Sequence, residues 1–313
     1  MTLPPRRLVM PAGWRAALPR LALLLLAAAA SLGAGGRIAD ATGTPKPDTS
    51  ANALFGALLR PTAERRPMAA GTYAKGCLAG GASLSSDGPG WQVMRPSRNR
   101  AWGHPALVDF VGRLAAAARD DGWPGLLVGD MAQPRGGPMR TGHASHQLGL
   151  DVDLWLTPMP DRRLTARERE DTAAPSMLRT GTLEVDPARF GSLQASVIRR
   201  AALFPEVSRI FVHPGIKQAL CATPATGADR AWLAKVRAWW GHDTHFHVRL
   251  RCPPGEPACV GQEPPPAGDG CGAELAWWFT DEPWKPKDPP LPPPRPVTLA
   301  ELPAECRGVL AAP

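Results

Sequence analysis

Two short segments about a hundred residues apart constrain this chain more than anything else in it. In Leu150-Asp151-Val152-Asp153-Leu154-Trp155-Leu156 the apolar residues recur at every second position. They do so again in His245-Phe246-His247-Val248-Arg249-Leu250. Side chains two apart on a β-strand share a face, so each segment reads as a half-buried strand with an apolar face and a polar one. The polar faces carry Asp151 and Asp153 in the first strand, and His245, His247 and Arg249 in the second. Two such strands lying side by side would aim carboxylates and imidazoles at one point. Imidazole and carboxylate are common zinc donors, and a catalytic zinc site takes three protein ligands and leaves one position open. His146, Asp153 and His247 form such a set. Five of the seven histidines fall in these two stretches or within seven residues ahead of them: His143, His146, His242, His245 and His247. The remaining two, His104 before Pro105 and His213 before Pro214, sit at an expected helix start and at the end of an apolar strand.

The expected architecture is α+β: a central, mostly antiparallel sheet with flanking helices and the zinc site on a sheet face. Helices are expected from 105 to 118, from 192 to 204 and from 228 to 240. The first carries the stripe Leu107, Phe110, Val111, Leu114 and Ala118. The third would place Trp232, Trp239 and Trp240 in the core. Leu126 to Val128 and Val207 to Val212 read as further strands. Residues 42–70 lack periodicity and read as a loose lead-in, with the zinc domain over 71–252. Residues 253–313 form a proline-rich extension of the same domain, an extended strap over the surface.

Residues 1–41 read as a secretory signal peptide, with arginines ahead of the apolar run from Leu21 to Ala30 and cleavage after Ala30, Ala34 or Ala41. The run is too short for a stable membrane span. That stretch holds five arginines and one aspartate, so half of the chain's formal +8 belongs to it. The remaining charge suits an anionic polymer such as the cell wall, and no nucleic-acid-binding motif is present. Six cysteines in an exported chain point to disulfides, with fifteen possible pairings.

Hydrolysis suits the expected metal site, and it needs a base. No histidine is followed by Glu, so the His-Glu-x-x-His arrangement is absent. His245, one pleat from His247, is the candidate, with His242 and His143 in support. Arg135, in the turn Gln133-Pro134-Arg135-Gly136-Gly137, is a candidate for a substrate carboxylate or an oxyanion; its alternative is a surface turn arginine. No Ser-x-x-Lys or Gly-x-Ser-x-Gly string supplies a nucleophilic serine.

His146 and Asp153 at His-x6-Asp spacing, joined to His245-x-His247, resemble the zinc peptidase superfamily of lysostaphin-type endopeptidases, D-Ala-D-Ala peptidases and the hedgehog domain. The longer strings Tyr73-Ala74-Lys75-Gly76-Cys77, Trp91-Gln92-Val93-Met94-Arg95, Phe211-Val212-His213-Pro214, Gln133 to Gly137, Gly142 to Asp153 and Gly241 to Arg249 resemble the penicillin-insensitive murein endopeptidase family, from about Thr72 to Cys306. The resemblance implies a periplasmic enzyme with one zinc ion that cuts peptide cross-links of peptidoglycan, D-alanine to meso-diaminopimelate and in some cases diaminopimelate to diaminopimelate. It implies His146, Asp153 and His247 as ligands, His245 as base, and His143 and His242 in the active site. It further implies the pairs Cys77–Cys306, Cys221–Cys271 and Cys252–Cys259. A zinc D-alanyl carboxypeptidase and a non-catalytic wall- or zinc-binding protein are the alternatives.

Overall fold

The computed structural model describes residues 49–63, 66–223, 227–290 and 295–313. The expected signal peptide lies outside these residues, as does part of the proline run, 291–294. In chain order the elements are α1 (Ala51–Phe55), β1 (Met68–Thr72), β2 (Lys75–Ala79), β3 (Ala82–Ser83), β4 (Asp87–Gly88), β5 (Trp91–Val93), β6 (Trp102–Gly103), α2 (Pro105–Asp120), β7 (Leu126–Val128), β8 (Asp151–Trp155), α3 (Ala166–Asp171), α4 (Ser192–Leu203), β9 (Val207–Val212), α5 (Pro214–Cys221), β10 (Val236–Ala238), β11 (His245–Leu250), α6 (Ala273–Ala276) and α7 (Glu305–Ala311).

Seven strands form the central sheet in the order β10-β9-β11-β8-β7-β5-β4. The outer pairs β10/β9 and β7/β5 are parallel, and the other neighbours are antiparallel. The two diagnostic strands are central and adjacent. Asp153 stands opposite His247 and Asp151 opposite Arg249, so the polar faces coincide. Their apolar residues Val152, Leu154, Phe246 and Val248 enter one core with the stripe of α2 and with Val197, Ile198 and Ala201 of α4. α2 begins where expected: Pro105 occupies the first turn, where its missing N–H costs nothing, and the His104 side chain accepts the Ala106 N–H. His213 caps α5 in the same way, accepting from Gly215 N–H. The Phe-Val-His-Pro string thus ends a strand and opens a helix.

Three expectations are corrected. β8 is buried on both faces rather than one, because the loop between β7 and β8 packs over its polar side, with residues 129–139 all buried. Residues 228–240 do not form an α-helix: a 3-10 segment covers Gly227–Lys235, and Val236–Ala238 pairs in parallel with β9. Strand pairing at a sheet edge outweighs the helical spacing there, and Trp239 and Trp240 end up 48% and 42% exposed. Finally, the lead-in is not loose throughout: among its described residues, Ala51–Phe55 form α1 and Met68 opens β1. Ala51 and Phe55 of α1 build a second apolar cluster with Cys77, Leu299, Leu302, Cys306 and Val309.

The disulfides are Cys77–Cys306, Cys221–Cys271 and Cys252–Cys259. The first spans 229 residues and crosses the second cluster. Loop-closure entropy makes it the most stabilising of the three, about 5 kcal/mol in the chain-entropy model. Replacing Cys77 and Cys306 by serine is expected to lower the unfolding free energy by ~2–5 kcal/mol in denaturant titrations. An unchanged midpoint would show that α7 is held by packing alone.

Candidate metal and catalytic site

The site lies where the polar faces of β8 and β11 meet the loop that precedes β8. His146 leads into β8 from that loop in left-handed backbone, φ 68°, a conformation that costs a non-glycine residue energy and recurs at functional sites. Its Nδ1–H donates to the Met131 carbonyl at 2.8 Å, which leaves the Nε2 lone pair facing inward. His247 is set the opposite way round. Its Nε2–H donates to Asp151 Oδ1 at 2.8 Å, and its Nδ1 stands 3.2 Å from Asp153 Oδ1. His146 Nε2 is 3.5 Å from the same oxygen. His146 Nε2 and Asp153 Oδ1 are buried and have no hydrogen-bond partner. His143, His146 and Asp153 bring one donor atom each within 4.8 Å of one another, a grouping able to hold a metal ion.

Further groups complete the pocket. His143 Nε2–H donates to Asp130 Oδ2 at 3.0 Å and lies 3.5 Å from Asp153 Oδ2. Burial disfavours the charged ring, but Asp130 and Asp153 outweigh it and raise the His143 pKa. Burial likewise opposes charge on Asp130, yet His143 and Arg100 lower its pKa to about 2. Burial also acts against the Asp153 carboxylate, and the imidazoles of His245, His146 and His247 nevertheless hold it well below the ordinary range. His245 Nε2 is 3.7 Å from Asp153 Oδ2, and its Nδ1 meets Thr244 Oγ1 at 3.0 Å. His242, also left-handed at φ 58°, has its ring tilted 42° to that of His245, with centroids 5.0 Å apart. Burial first, then His245 and His247, push His242 down to about 4, so its ring is neutral at pH 7.

All five clustered histidines and Asp153 therefore meet at one place, and Arg135 does not. Its Nε donates to the Arg60 carbonyl, and its Nη1 to those of Val309 and Ala312. The turn containing Gly136 (φ 59°) and Gly137 (φ 75°) aims it there, with Phe55 packed so close to Gly137 that no side chain fits. It is a clamp on the C-terminal segment. The arginines that do line the cleft, about 340 Å³ with His143, Asp153, Trp155 and His245, are Arg95 and Arg98. A larger cavity near Phe190, Arg199 and Trp232 holds none of the site histidines or aspartates.

Sequence reasoning gave no role to two residues. Asp130 leaves no spacing signal. Asp151 leaves one: it lies two residues from Asp153 on the same face, diagonal to His247. It accepts from the His146 backbone N–H at 3.1 Å, from His247 Nε2 at 2.8 Å and from Arg249 Nε at 2.7 Å. Burial would raise its pKa, but Arg249 and His247 hold it far below the ordinary value. Arg249 in turn lies 4.2 Å over the ring of Tyr73, whose hydroxyl donates to the Leu250 carbonyl at 2.6 Å.

Tyr73 is the chain's one tyrosine. Burial, then the Asp151 carboxylate, push its pKa up to about 12. Tyrosinate absorbance of the folded protein is expected only near that pH, and near ~10 in denaturant. Between these pH values the folded state keeps a proton the unfolded state has lost. The stability contribution is therefore complete below ~10 and declines as pH rises through about 12, by ~3 kcal/mol in all. A native titration near ~10 would show that Tyr73 is not held in this way.

Fold and site together define a mixed α/β protein with a histidine–aspartate cluster that could hold a metal ion. Comparison with known proteins narrows the class. The profile of the family described as penicillin-insensitive murein endopeptidase matches residues 69–311. Proteins of that name are 43% identical over 240 residues in Klebsiella pneumoniae (77% of this chain, 85% of that protein), 44% over 232 residues in Yersinia enterocolitica (72% and 83%) and 43% over 246 residues in Haemophilus influenzae (77% and 84%). The chain belongs to the penicillin-insensitive murein endopeptidase family.

Proposed function

We propose that this protein is a zinc-dependent endopeptidase that hydrolyses peptide cross-links of peptidoglycan, D-alanine to meso-diaminopimelate, outside the cytoplasm. The observation that carries the metal assignment is the pair of buried, unpartnered donors, His146 Nε2 and Asp153 Oδ1, with His247 Nδ1 beside them. Their separations of 3.5 and 3.2 Å match the edge of a tetrahedron about 3.3–3.4 Å long, as bond lengths of ~2.0–2.1 Å require. His146, Asp153 and His247 are the ligands on this reading. His143 is left out because its Nε2–H is committed to Asp130. A zinc ion held there supplies a Lewis acid for the scissile carbonyl and for an attacking water.

The chain's own groups do the rest. Asp151 and the Met131 carbonyl fix the tautomers of His247 and His146, so each presents a lone pair inward. His245, partly exposed at the cleft, takes the proton from water at Nε2 as the water oxygen adds to the carbonyl carbon. When the C–N bond breaks, that proton passes to the leaving amine. His143, with its raised proton affinity, flanks the reacting atoms as a donor, while neutral His242, whose Nδ1–H is held by the Trp240 carbonyl, offers Nε2 as an acceptor. Arg95 and Arg98 lie where a carboxylate of the substrate would be received. Among the described residues no helix is long and apolar enough to cross a membrane.

The test is incubation of the purified protein with soluble cross-linked muropeptide dimers and with monomers, followed by mass spectrometry with and without chelator. Dimers should split into monomers, and the chelator should stop the reaction. Release of single alanines from monomers would point to a carboxypeptidase. No product from zinc-loaded protein would leave a binding protein. His245→Ala should lose ~10²–10⁴-fold in kcat while retaining its zinc.

A further inference from the structure

Eight large hydrophobic residues are exposed among the described residues, and five of them are aromatic: Trp239, Trp240, Trp277, Phe279 and Trp284. The four tryptophans form one surface. Their exposures are 48%, 42%, 43% and 39% for Trp239, Trp240, Trp277 and Trp284. Buried Trp278 lies beneath them, with ring centroids 4.5 Å from Trp240, 5.1 Å from Trp277 and 6.1 Å from Trp284. Trp239 joins through Trp240 at 5.2 Å. Contiguous apolar patches of this kind on a soluble protein mark places where something binds.

The patch is held rigid. Trp240 Nε1 donates to the Pro283 carbonyl at 3.1 Å, and Trp284 Nε1 to that of Trp278 at 2.9 Å. These bonds fix the planes of two indoles before any ligand arrives, which lowers the ordering cost of binding. The patch is also continuous with the site. Trp239 packs edge-on against Phe211 at 5.9 Å, and Phe211 packs against His247 at 5.3 Å and His242 at 6.3 Å. A polymer whose peptide branch enters the cleft would run its trunk across this surface.

Charge decides what kind of polymer. Between residues 273 and 290 the chain carries Glu274, Asp281, Glu282 and Asp288 against Lys285 and Lys287. A surface that inserts aromatics into anionic lipid is rimmed by lysine and arginine; the segment that carries Trp277 and Trp284 has no basic excess. Part-exposed indoles held in fixed orientations, in a segment with no basic excess, suit an uncharged ring with apolar C–H faces, and that is a sugar.

We propose that Trp239, Trp240, Trp277 and Trp284 form a carbohydrate platform that takes the glycan strand bearing the peptide being cut. The C–H faces of the sugar rings lie on the electron-rich indole faces. This rests on the reading of the cleft as a murein peptidase, and it accounts for the exposure of Trp239 and Trp240, whose spacing places them in a core.

The test uses the full mature chain and glycan strands stripped of their peptides, with the freed lactyl carboxylates amidated so that the rings stay uncharged and no cleavage is involved. Pelleting and tryptophan fluorescence should both report binding by the wild type. Trp277→Ala and Trp284→Ala should each bind about tenfold more weakly, and Trp277→Phe should recover part of the loss. Thermal unfolding of each variant separates lost binding from lost fold, and the wild-type fluorescence change stands even if a variant misfolds. No wild-type binding to peptide-free glycan, or equal binding by all variants, overturns the platform. So does binding to anionic or zwitterionic vesicles in place of glycan, or tryptophan-dependent self-association in sedimentation. Cleavage of sugar-free cross-linked dimers by the same preparation keeps a failed platform distinct from a failed peptidase assignment.

Discussion

His146→Ala and His247→Ala, each purified as folded protein, will hold no stoichiometric zinc and will lose roughly a thousandfold or more in kcat/KM on cross-linked dimers. Each ring offers one inward lone pair because its other nitrogen is bound, His146 Nδ1–H to Met131 and His247 Nε2–H to Asp151. On the proposed assignment alanine removes one ligand of three, and His143, the nearest further imidazole to the Asp153 carboxylate, is tied to Asp130. Metal analysis beside the kinetics identifies the cause. Zinc retained at full occupancy with activity lost would mean that the histidine works on substrate. Activity retained would remove it from the centre altogether. Arg135→Ala is the contrasting variant. It should lower stability by freeing the carbonyls of Val309 and Ala312, yet leave zinc content unchanged.

Asp151→Asn is expected to weaken zinc binding by ~10–100-fold and to destabilise the fold by ~3–5 kcal/mol, although Asp151 is assigned no bond to the metal. Three donors converge on its fully buried carboxylate. The amide has one acceptor oxygen and no charge, so the guanidinium of Arg249, itself 7% exposed, is left in the interior without its counterion. Losing one partner of a buried pair costs far more than the pair is worth intact. His247 loses the acceptor that fixes its tautomer. Competition with a chromophoric chelator measures the first effect and denaturant unfolding the second. Unchanged zinc affinity would mean that Asp153 and the sheet alone orient His247.

Much of the centre was legible in two strands. Alternation placed Asp153 and His247 on polar faces, and the structure sets them opposite each other in register. The spacing of α2 predicted its buried stripe for the same reason, because a period of 3.6 or 2 is a local property of the backbone. The third expected helix shows where local reading ends. Trp232, Leu233 and Val236 are buried as the pattern suggests, but Val236–Ala238 joins β9 as a strand. What decides that segment is a hydrogen-bonding edge supplied by residues 207–212, which lie outside any local window.

Arg135 and Asp151 show the same limit from opposite sides. Arg135 has the turn context of a functional arginine, yet its partners are the Arg60 carbonyl and carbonyls about 175 residues later in the chain, held there with α7. Asp151 stands in plain view beside Asp153. Its role depends on which neighbours fill the three positions around its carboxylate, and two of these, His247 and Arg249, come from another strand. The sequence by itself determined the residue types and which side chains share a strand face, since these follow from covalent spacing. Only the tertiary structure decided which donors are left unpartnered for a metal, which arginines face the cleft and which tryptophans meet solvent. Those outcomes depend on desolvation and on contacts between segments far apart in the chain.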